Sequence, residues 1–393
     1  MILTDDQYQG LYQLRRWYSK YQHQIIDVSG TAGTGVLDLV QYFLSYTNLD
    51  PREIMWLSFN QKQVLELAYQ KHHAYYLPYI IYKYDRIVDF NSIPVLNANS
   101  THVSATWKKR VRKKMDSRYK LIIVFDSVLL SYNMLKDLSS FGLPIILLRD
   151  PMLLPAPNTY TFLREPNIEL HDISPTYAKS PIIYFANKAI RGEIINPGIY
   201  DIVSVVLKKR MNLYNIKSSD MNICLSNPLR NEINQIYLEK VIHRKDIITH
   251  PNEKLIICEN SYNHALVNPD ENKVKVYLSQ GLIGYISRIN KHALTTKFVP
   301  FEFRPEFYHD SFDDIILDRH YLNKVDFPVH QQIPDHSILA EYAYALTPDL
   351  ARLSHWDKVT LILDQDDSMD NDLMRRMLYT AITRAKKMLT IVV

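Results

Sequence analysis

The stretch Ile25-Ile26-Asp27-Val28-Ser29-Gly30-Thr31-Ala32-Gly33-Thr34-Gly35-Val36-Leu37 decides how the rest of the chain is read. A short apolar segment, Ile25 to Val28, runs into a glycine-rich turn. Leu37, Val40, Phe43 and Leu44 then recur at helical spacing. Strand, glycine loop, helix is the context that a phosphate-binding loop requires. A working loop reads G-x-x-x-x-G-K-[ST]: its glycines let backbone N–H groups surround phosphate, its lysine reaches the β and γ groups, and its hydroxyl holds Mg²⁺. Gly30 and Gly35 stand at that spacing with Gly33 and Thr34 between them, but Val36 and Leu37 occupy the lysine and hydroxyl places. The frame is present without its chemistry. A glycine-rich strand-to-helix turn also arises for structural reasons alone, so the flanking sequence must decide.

Upstream, Leu11, Leu14, Trp17 and Tyr18 predict a helix over 5–20 with Thr4 as its N-cap. Downstream, Met55-Trp56-Leu57, Leu121 to Phe125 and Pro144 to Leu148 are short apolar runs of the kind that become buried parallel strands. The Tyr-rich segment at about 75–105 fits no clean period and reads as a small insertion. A second α/β unit follows residue 157, with a helix near 181–191, a strand at Asn222 to Leu225 and a helix at 228–243. It resumes with a strand at Val359 to Leu363, a helix at 371–385 and a strand at Leu389 to Val393. Between its two parts, Lys254 to Cys258, Val274 to Leu278 and Leu282 to Ile289 read as β. The expected organisation is α/β: a first domain over 1–157, a second over 158–249 and 336–393, and an inserted small barrel over 250–335.

At 393 residues the chain is long enough for two or three cores. Its 47% hydrophobic and 22% charged residues exclude a largely disordered polymer. The charge of +4, from 46 Lys+Arg and 42 Asp+Glu, permits nucleic acid without demanding it. Two cysteines, Cys224 and Cys258, show no zinc-ligand spacing, so no metal site is expected and a reducing compartment is. Without a basic-then-apolar leader or a membrane-length apolar run, a cytoplasmic protein with no membrane partner is the expectation.

Read in order, further segments resemble the motif series of superfamily 1 helicases of the RecD/Dda type, with a UvrD-like C-terminal domain. Gln7, in Leu3-Thr4-Asp5-Asp6-Gln7, looks like the glutamine that reads adenine. Leu121-Ile122-Ile123-Val124-Phe125-Asp126-Ser127 is similar to the strand that ends in Asp-Glu. Depending on alignment, Asp126 takes the Glu place with Phe125 before it, or the Asp place with Ser127 after it, so one acid is absent either way. Arg149-Asp150-Pro151-Met152-Leu153-Leu154-Pro155 resembles Gly-Asp-Pro-x-Gln-Leu-Pro with Leu153 in the γ-phosphate sensor's place. Leu170-His171-Asp172-Ile173-Ser174-Pro175 matches a segment whose arginine would reach across the cleft, and Pro175 stands near that place. Ala340 to Thr347 matches the run into Thr-x-His-Lys-Ser-Gln-Gly, yet Pro348-Asp349-Leu350-Ala351-Arg352-Leu353 follow. Leu378-Tyr379-Thr380-Ala381-Ile382-Thr383-Arg384-Ala385 looks like the intact last motif, with Arg384 as an arginine finger. Gln280-Gly281 with Gly284 resembles the Asn-Gly-x-x-Gly turn of the family's SH3-like barrel.

The resemblance implies two RecA-like domains of the P-loop NTPase type, the first with a small insertion and the second with an SH3-like β-barrel insertion. It also implies a vestigial nucleotide site at Gln7, Gly30, Gly33, Thr34, Gly35, Val36 and Leu37, with Asp126 and Arg384 as catalytic remnants and no bound cofactor expected. An arginine finger alone is worth roughly 10³ to 10⁵ in rate, so the combined losses predict a pseudoenzyme. Candidate nucleic-acid contacts are Lys62 and the basic run Lys108, Lys109, Arg110, Arg112, Lys113 and Lys114, which lies beside Trp107. If helical, that run is charged nearly all round, and a merely solvated face explains it equally well. The implied role is a single-stranded-DNA-binding or scaffolding subunit in replication, recombination or defence, partnered by an active helicase, nuclease or replication protein. Two readings stay open beside it: an active 5'-3' DNA helicase using Mg·ATP with groups borrowed from a partner, and a pure protein-interaction module.

Overall fold

The computed structural model describes residues 3–20, 24–87, 106–112, 114–155, 165–244, 250–261, 264–267, 275–289, 298–319, 322, 337–364 and 371–393. Two compact units divide them. One comprises Met1–Ile81, Lys113–Ile242 and Ala345–Val393, and the other Tyr82–Arg112 and His243–Tyr344.

The first unit opens with helix α1 (Asp5–Lys20), which buries Leu11, Leu14 and Trp17. Thr4 and Gln7 close its first turn reciprocally: Thr4 Oγ1 accepts from the Gln7 N–H at 3.4 Å, and Gln7 Oε1 accepts from the Thr4 N–H at 3.0 Å. Strand β1 (Ile25–Gly30) leads through the glycine loop into α2 (Val36–Leu44). β2 (Ile54–Ser58), α3 (Gln61–Tyr69) and β3 (His73–Tyr76) follow. The chain then enters the second unit as a hairpin of β4 (Tyr82–Ile87) and β5 (Thr106–Val111). It returns as β6 (Leu121–Val124), α4 (Tyr132–Ser139), β7 (Ile145–Arg149) and β8 (Ile168–Leu170). The sheet order is β3-β2-β6-β7-β1-β8, parallel throughout. Strands buried on both faces need the continuous apolar runs seen in Ile54–Leu57, Leu121–Val124 and Ile145–Leu148.

The second half of the same unit holds α5 (Pro181–Arg191), started by the Ser180 cap and Pro181 and stopped by Gly192 at φ 67°. β9 (Gly198–Tyr200), β10 (Val203–Val206), β11 (Met221–Cys224) and α6 (Asn227–Ile236) come next. The expected helix over 228–243 is thus shorter, and a π turn, Tyr237–Val241, takes up part of the remainder.

The second unit then carries β12 (Lys254–Ile257), β13 (Ala265–Val267), β14 (Lys275–Tyr277), β15 (Ile283–Ile289), β16 (Phe298–Pro305), β17 (Phe312–Asp318), β18 (Ser337–Ile338) and β19 (Ala340–Tyr342). Six of these form a sheet in the order β18-β17-β16-β15-β12-β19, antiparallel except for β17 with β18. Gly284 is required there, because a Cβ would fall 2.2 Å from the Arg304 carbonyl oxygen on the neighbouring strand.

The chain re-enters the first unit as β20 (Ala345–Leu346), a single helical turn at Pro348–Ala351, β21 (Trp356–Ile362), α7 (Asn371–Ile382) and β22 (Ala385–Val392). These complete a sheet ordered β20-β11-β21-β22-β10-β9, parallel except at its β9 edge. The first unit therefore pairs two doubly wound α/β halves. α7 stops at Ile382, three residues before the expected end: Thr383 Oγ1 bonds back to the Tyr379 and Thr380 carbonyls, and Ala385 already pairs with Trp356.

Two sequence expectations change. The insertion placed at about 75–105 starts later, since His73–Tyr76 pairs in register with Met55–Ser58 as the edge of the first sheet. The described residues of the basic run are not helical. Its residues Lys108 to Arg110 lie in β5, with Lys108 opposite Asp85, Lys109 opposite Tyr84 and Arg110 opposite Lys83.

Candidate functional site: the phosphate-loop cleft

The glycine loop has the backbone expected of it. Gly33 and Gly35 take φ of 92° and 73°, which L side chains rarely adopt. Thr34 folds the loop on itself, its N–H and Oγ1 both donating to the Thr31 carbonyl at 3.1 and 2.8 Å. Gly30 has no room for a side chain, because a Cβ there would stand 2.3 Å from Thr34 Oγ1 and 2.8 Å from a Val36 methyl. Val36 therefore packs back against the loop's first glycine.

Side chains from α5, α7 and the segment before Pro175 approach the loop. A Cβ at Gly33 would meet the Ile183 Cγ2 of α5 at 2.8 Å and the Ile173 Cδ1 at 3.5 Å. From α7, the hydroxyl of the fully buried Tyr379 accepts the Ala32 N–H at 2.6 Å and donates to the Asp150 carboxylate. Burial holds Tyr379 well above the usual phenol range, so it stays a neutral donor. Asp150 is pushed up to about 6, chiefly by burial, against the opposing hydrogen bonds from Tyr379 and the Met152 N–H.

Gln7, the expected adenine reader, is fully buried. Its Nε2 donates to the Thr34 carbonyl at 2.8 Å while its Oε1 completes the α1 cap. The Thr4-x-x-Gln7 spacing was the sequence signal for that capping role. Leu37 is half-buried at the start of α2, and Asp38 beyond it is raised by burial against a hydrogen bond from Tyr177. The segment carrying Pro175 is tied to the first half, with the Ser174 N–H on the Gly33 carbonyl at 2.9 Å and Asp6 accepting the His171 and Asp172 N–H groups at 2.7 and 2.9 Å.

Arg384 spends its hydrogen bonds within its own half. Its Nε donates to the Thr380 carbonyl at 3.0 Å, one Nη to Thr383 Oγ1 at 2.9 Å and the other to the Arg352 carbonyl. Its charge is felt by Asp126 and Asp150. Asp126 sits just beyond β6 in the left-handed region at φ 49°, raised by burial with Arg384 and Arg352 opposing. Phe125 stacks on Trp56 at 5.6 Å and belongs to the core, which leaves Asp126 as the acid at this strand end.

The Leu153 segment is likewise tied across the cleft. Leu153 is buried, the Leu154 N–H donates to Thr380 Oγ1 at 3.1 Å, Arg376 donates to the Pro151 carbonyl at 2.7 Å, and Arg352 donates to the Pro155 carbonyl at 2.7 Å. Lys62 Nζ reaches the His355 carbonyl at 3.4 Å, and its neighbour Asn60 bonds the Leu353 carbonyl. Of the basic run, Arg112 is half-buried and Lys114 exposed, Lys108, Lys109 and Arg110 are placed by the backbone of β5, and Lys113 lies outside the described residues. The cleft and the basic run thus fall in different units, except for Lys113 and Lys114 at the boundary.

Two largely parallel α/β halves joined around a glycine loop define the class of fold, one shared with solved Pif1 helicases. Among solved structures, the chain is similar to a Pif1 helicase in a structure described as the basis for DNA unwinding at forked dsDNA by two coordinating Pif1 helicases, and to the Pif1 helicase from Bacteroides in complex with ADP-AlF3 and ssDNA. Each has 11% identity and a TM-score of 0.51, with 100% of this chain and 92% of the other covered. No family model matches the sequence, and no curated protein does. Among the described residues, no helix is long and apolar enough to cross a membrane.

Proposed function

We propose that this chain is a catalytically degenerate helicase of the RecD/Dda-like branch, acting as a single-stranded-DNA-binding or scaffolding subunit of a replication, recombination or defence assembly. The observation that carries this reading is the state of the loop. Its Ala32 N–H is taken by Tyr379, its Gly33 is covered by Ile183 and Ile173, and Val36 stands where a phosphate-binding lysine belongs. Setting apolar surface against a polyanion without compensating charge is costly. Positioning and charge stabilisation are nearly all of phosphoryl-transfer catalysis, and here the lysine, the loop hydroxyl and the sensor are replaced while Arg384 is directed elsewhere. No nucleotide cofactor is required by this role.

A Pif1 neighbour was solved with single-stranded DNA, which supports DNA as the partner, as does the basic run in β5. The six-stranded sheet of the second unit, with its close approach at Gly284, supports an SH3-like barrel. An active helicase, nuclease or replication protein would supply the chemistry that this chain lacks.

The test is ATP turnover with and without single-stranded oligonucleotide, paired with oligonucleotide affinity as a function of salt. Turnover under about one per second in both conditions is expected, since working enzymes of this chemistry reach about 1 to 100 per second. Affinity should fall with salt at a log–log slope of roughly −0.7 per phosphate contacted. DNA-stimulated turnover above that rate would favour a working motor, and no binding at low salt would favour a protein-interaction module.

A further inference from the structure

The contacts that tie the two α/β halves of the first unit together converge on the strand ends where nucleotide would lie. Tyr379 joins Ala32 to Asp150, Thr380 takes the Leu154 N–H, and Arg376 caps the Pro151 carbonyl. In a nucleotide-driven switch, the γ-phosphate and its metal hold the moving segments, which are released on hydrolysis. Here the bridging groups come from α7, one face of which carries Arg376, Tyr379 and Thr380 at helical spacing.

We propose that Tyr379 and Asp150 form a built-in clasp that takes the place of nucleotide as the bridge across the cleft, holding the two halves in one arrangement with nothing bound. This rests on the reading that the cleft does not turn over nucleotide. The geometry is specific to a hydroxyl, because one atom must both accept the Ala32 N–H and donate to the Asp150 carboxylate. A phenyl ring of the same size fills the space but leaves a partly buried donor and a partly buried acceptor without the hydroxyl between them. A ring present only for packing would not need that pair of partners. With the clasp shut, affinity for single-stranded DNA is independent of Mg·ATP.

Hydrogen exchange on the full chain tests this directly, on peptides covering residues 30–37 and 150–155, with and without Mg·ATP, in the parent, Tyr379→Phe and Arg376→Ala. The parent should be equally protected in both conditions. Tyr379→Phe should exchange about tenfold faster in both peptides, equivalent to about 1.4 kcal/mol, while peptides from β15 and β16 stay unchanged. Arg376→Ala replaces a half-buried side chain and should speed only the 150–155 peptide, by a smaller factor. Parent rates retained in Tyr379→Phe would overturn the clasp and leave the non-hydrolysing reading standing. Tenfold protection of the parent by Mg·ATP together with DNA-stimulated turnover above about one per second would instead overturn the reading beneath it. If Tyr379→Phe does not fold, unchanged exchange in Arg376→Ala is the refuting result.

Discussion

Replacing Arg384 with methionine separates an arginine finger from a structural counter-charge. The guanidinium makes three hydrogen bonds, to the Thr380 and Arg352 carbonyls and to Thr383 Oγ1, and its charge acts on Asp126 more strongly than that of Arg352. It also opposes the burial that pushes Asp150 up to about 6. Methionine keeps the volume of the stem and removes the charge, so two enclosed carboxyls lose compensation. Breaking a buried charge arrangement by removing one partner costs about 3–5 kcal/mol. That full cost should appear near pH 8, above the value of about 6 at which Asp150 ionises. The direction with pH follows from the shifts. Both carboxyls already have folded values above their unfolded value of about 4, and loss of Arg384 raises them further. Such groups stabilise the fold at low pH and lose that contribution as pH rises through the folded value. Near pH 5, below its value of about 6, Asp150 is largely protonated, and the lost hydrogen bonds are the main remaining cost, about 1–3 kcal/mol. Urea unfolding followed by tryptophan fluorescence reads both halves, since Trp56 lies in β2 and Trp356 in β21. A variant within about 0.5 kcal/mol of the parent at pH 8, or one whose deficit does not shrink at pH 5, would refute the structural assignment and return Arg384 to the role of a cleft-facing finger.

Restoring the loop consensus with Val36→Lys and Leu37→Thr should leave ATP turnover below about one per second, because Leu153 and Pro175 still stand at the sensor and arginine places and Tyr379 still holds the Ala32 N–H; recovered stimulation by DNA would show the cleft to be more competent than its contacts indicate. Gly35→Ala should destabilise by about 1–3 kcal/mol in thermal or urea unfolding, since the site has φ 73° and the new methyl would lie 2.7 Å from Gln7 Nε2; an unchanged midpoint would mean that the loop does not hold this conformation. Changing Lys108, Lys109 and Arg110 together to serine should lower the salt slope of oligonucleotide binding by about 2, the yield of three phosphate contacts at roughly 0.7 each; an unchanged slope would remove the run from the DNA surface.

Much of the first unit could be read from local pattern. The apolar runs at Ile54–Leu57, Leu121–Val124 and Ile145–Leu148 are strands, and the period in 5–20 is α1. Less legible were elements whose partners supply the signal. His73–Tyr76 has no alternation of its own and is a strand because it edges against β2. The run from Lys108 carries no apolar face for either structure, and its pairing with Tyr82–Ile87 makes it a strand. Helix α7 ends early because Thr383 and Arg384 turn their side chains back onto its last carbonyls, a competition that periodicity does not register.

The opening loop divides in the same way. Sequence alone determined its frame and its deficit: glycines at 30, 33 and 35 are covalent facts that permit the turn, and Val36 and Leu37 cannot supply an ammonium or a hydroxyl in any conformation. Only the tertiary structure decided what meets the loop. Tyr379 lies 347 positions from Ala32, Ile183 covers Gly33 from another helix, and Arg384 turns inward to two carboxyls. Backbone permission is a property of each residue and its neighbours. The groups that fill a cleft are chosen by long-range packing, in which every buried donor and acceptor must find a partner wherever the chain brings one.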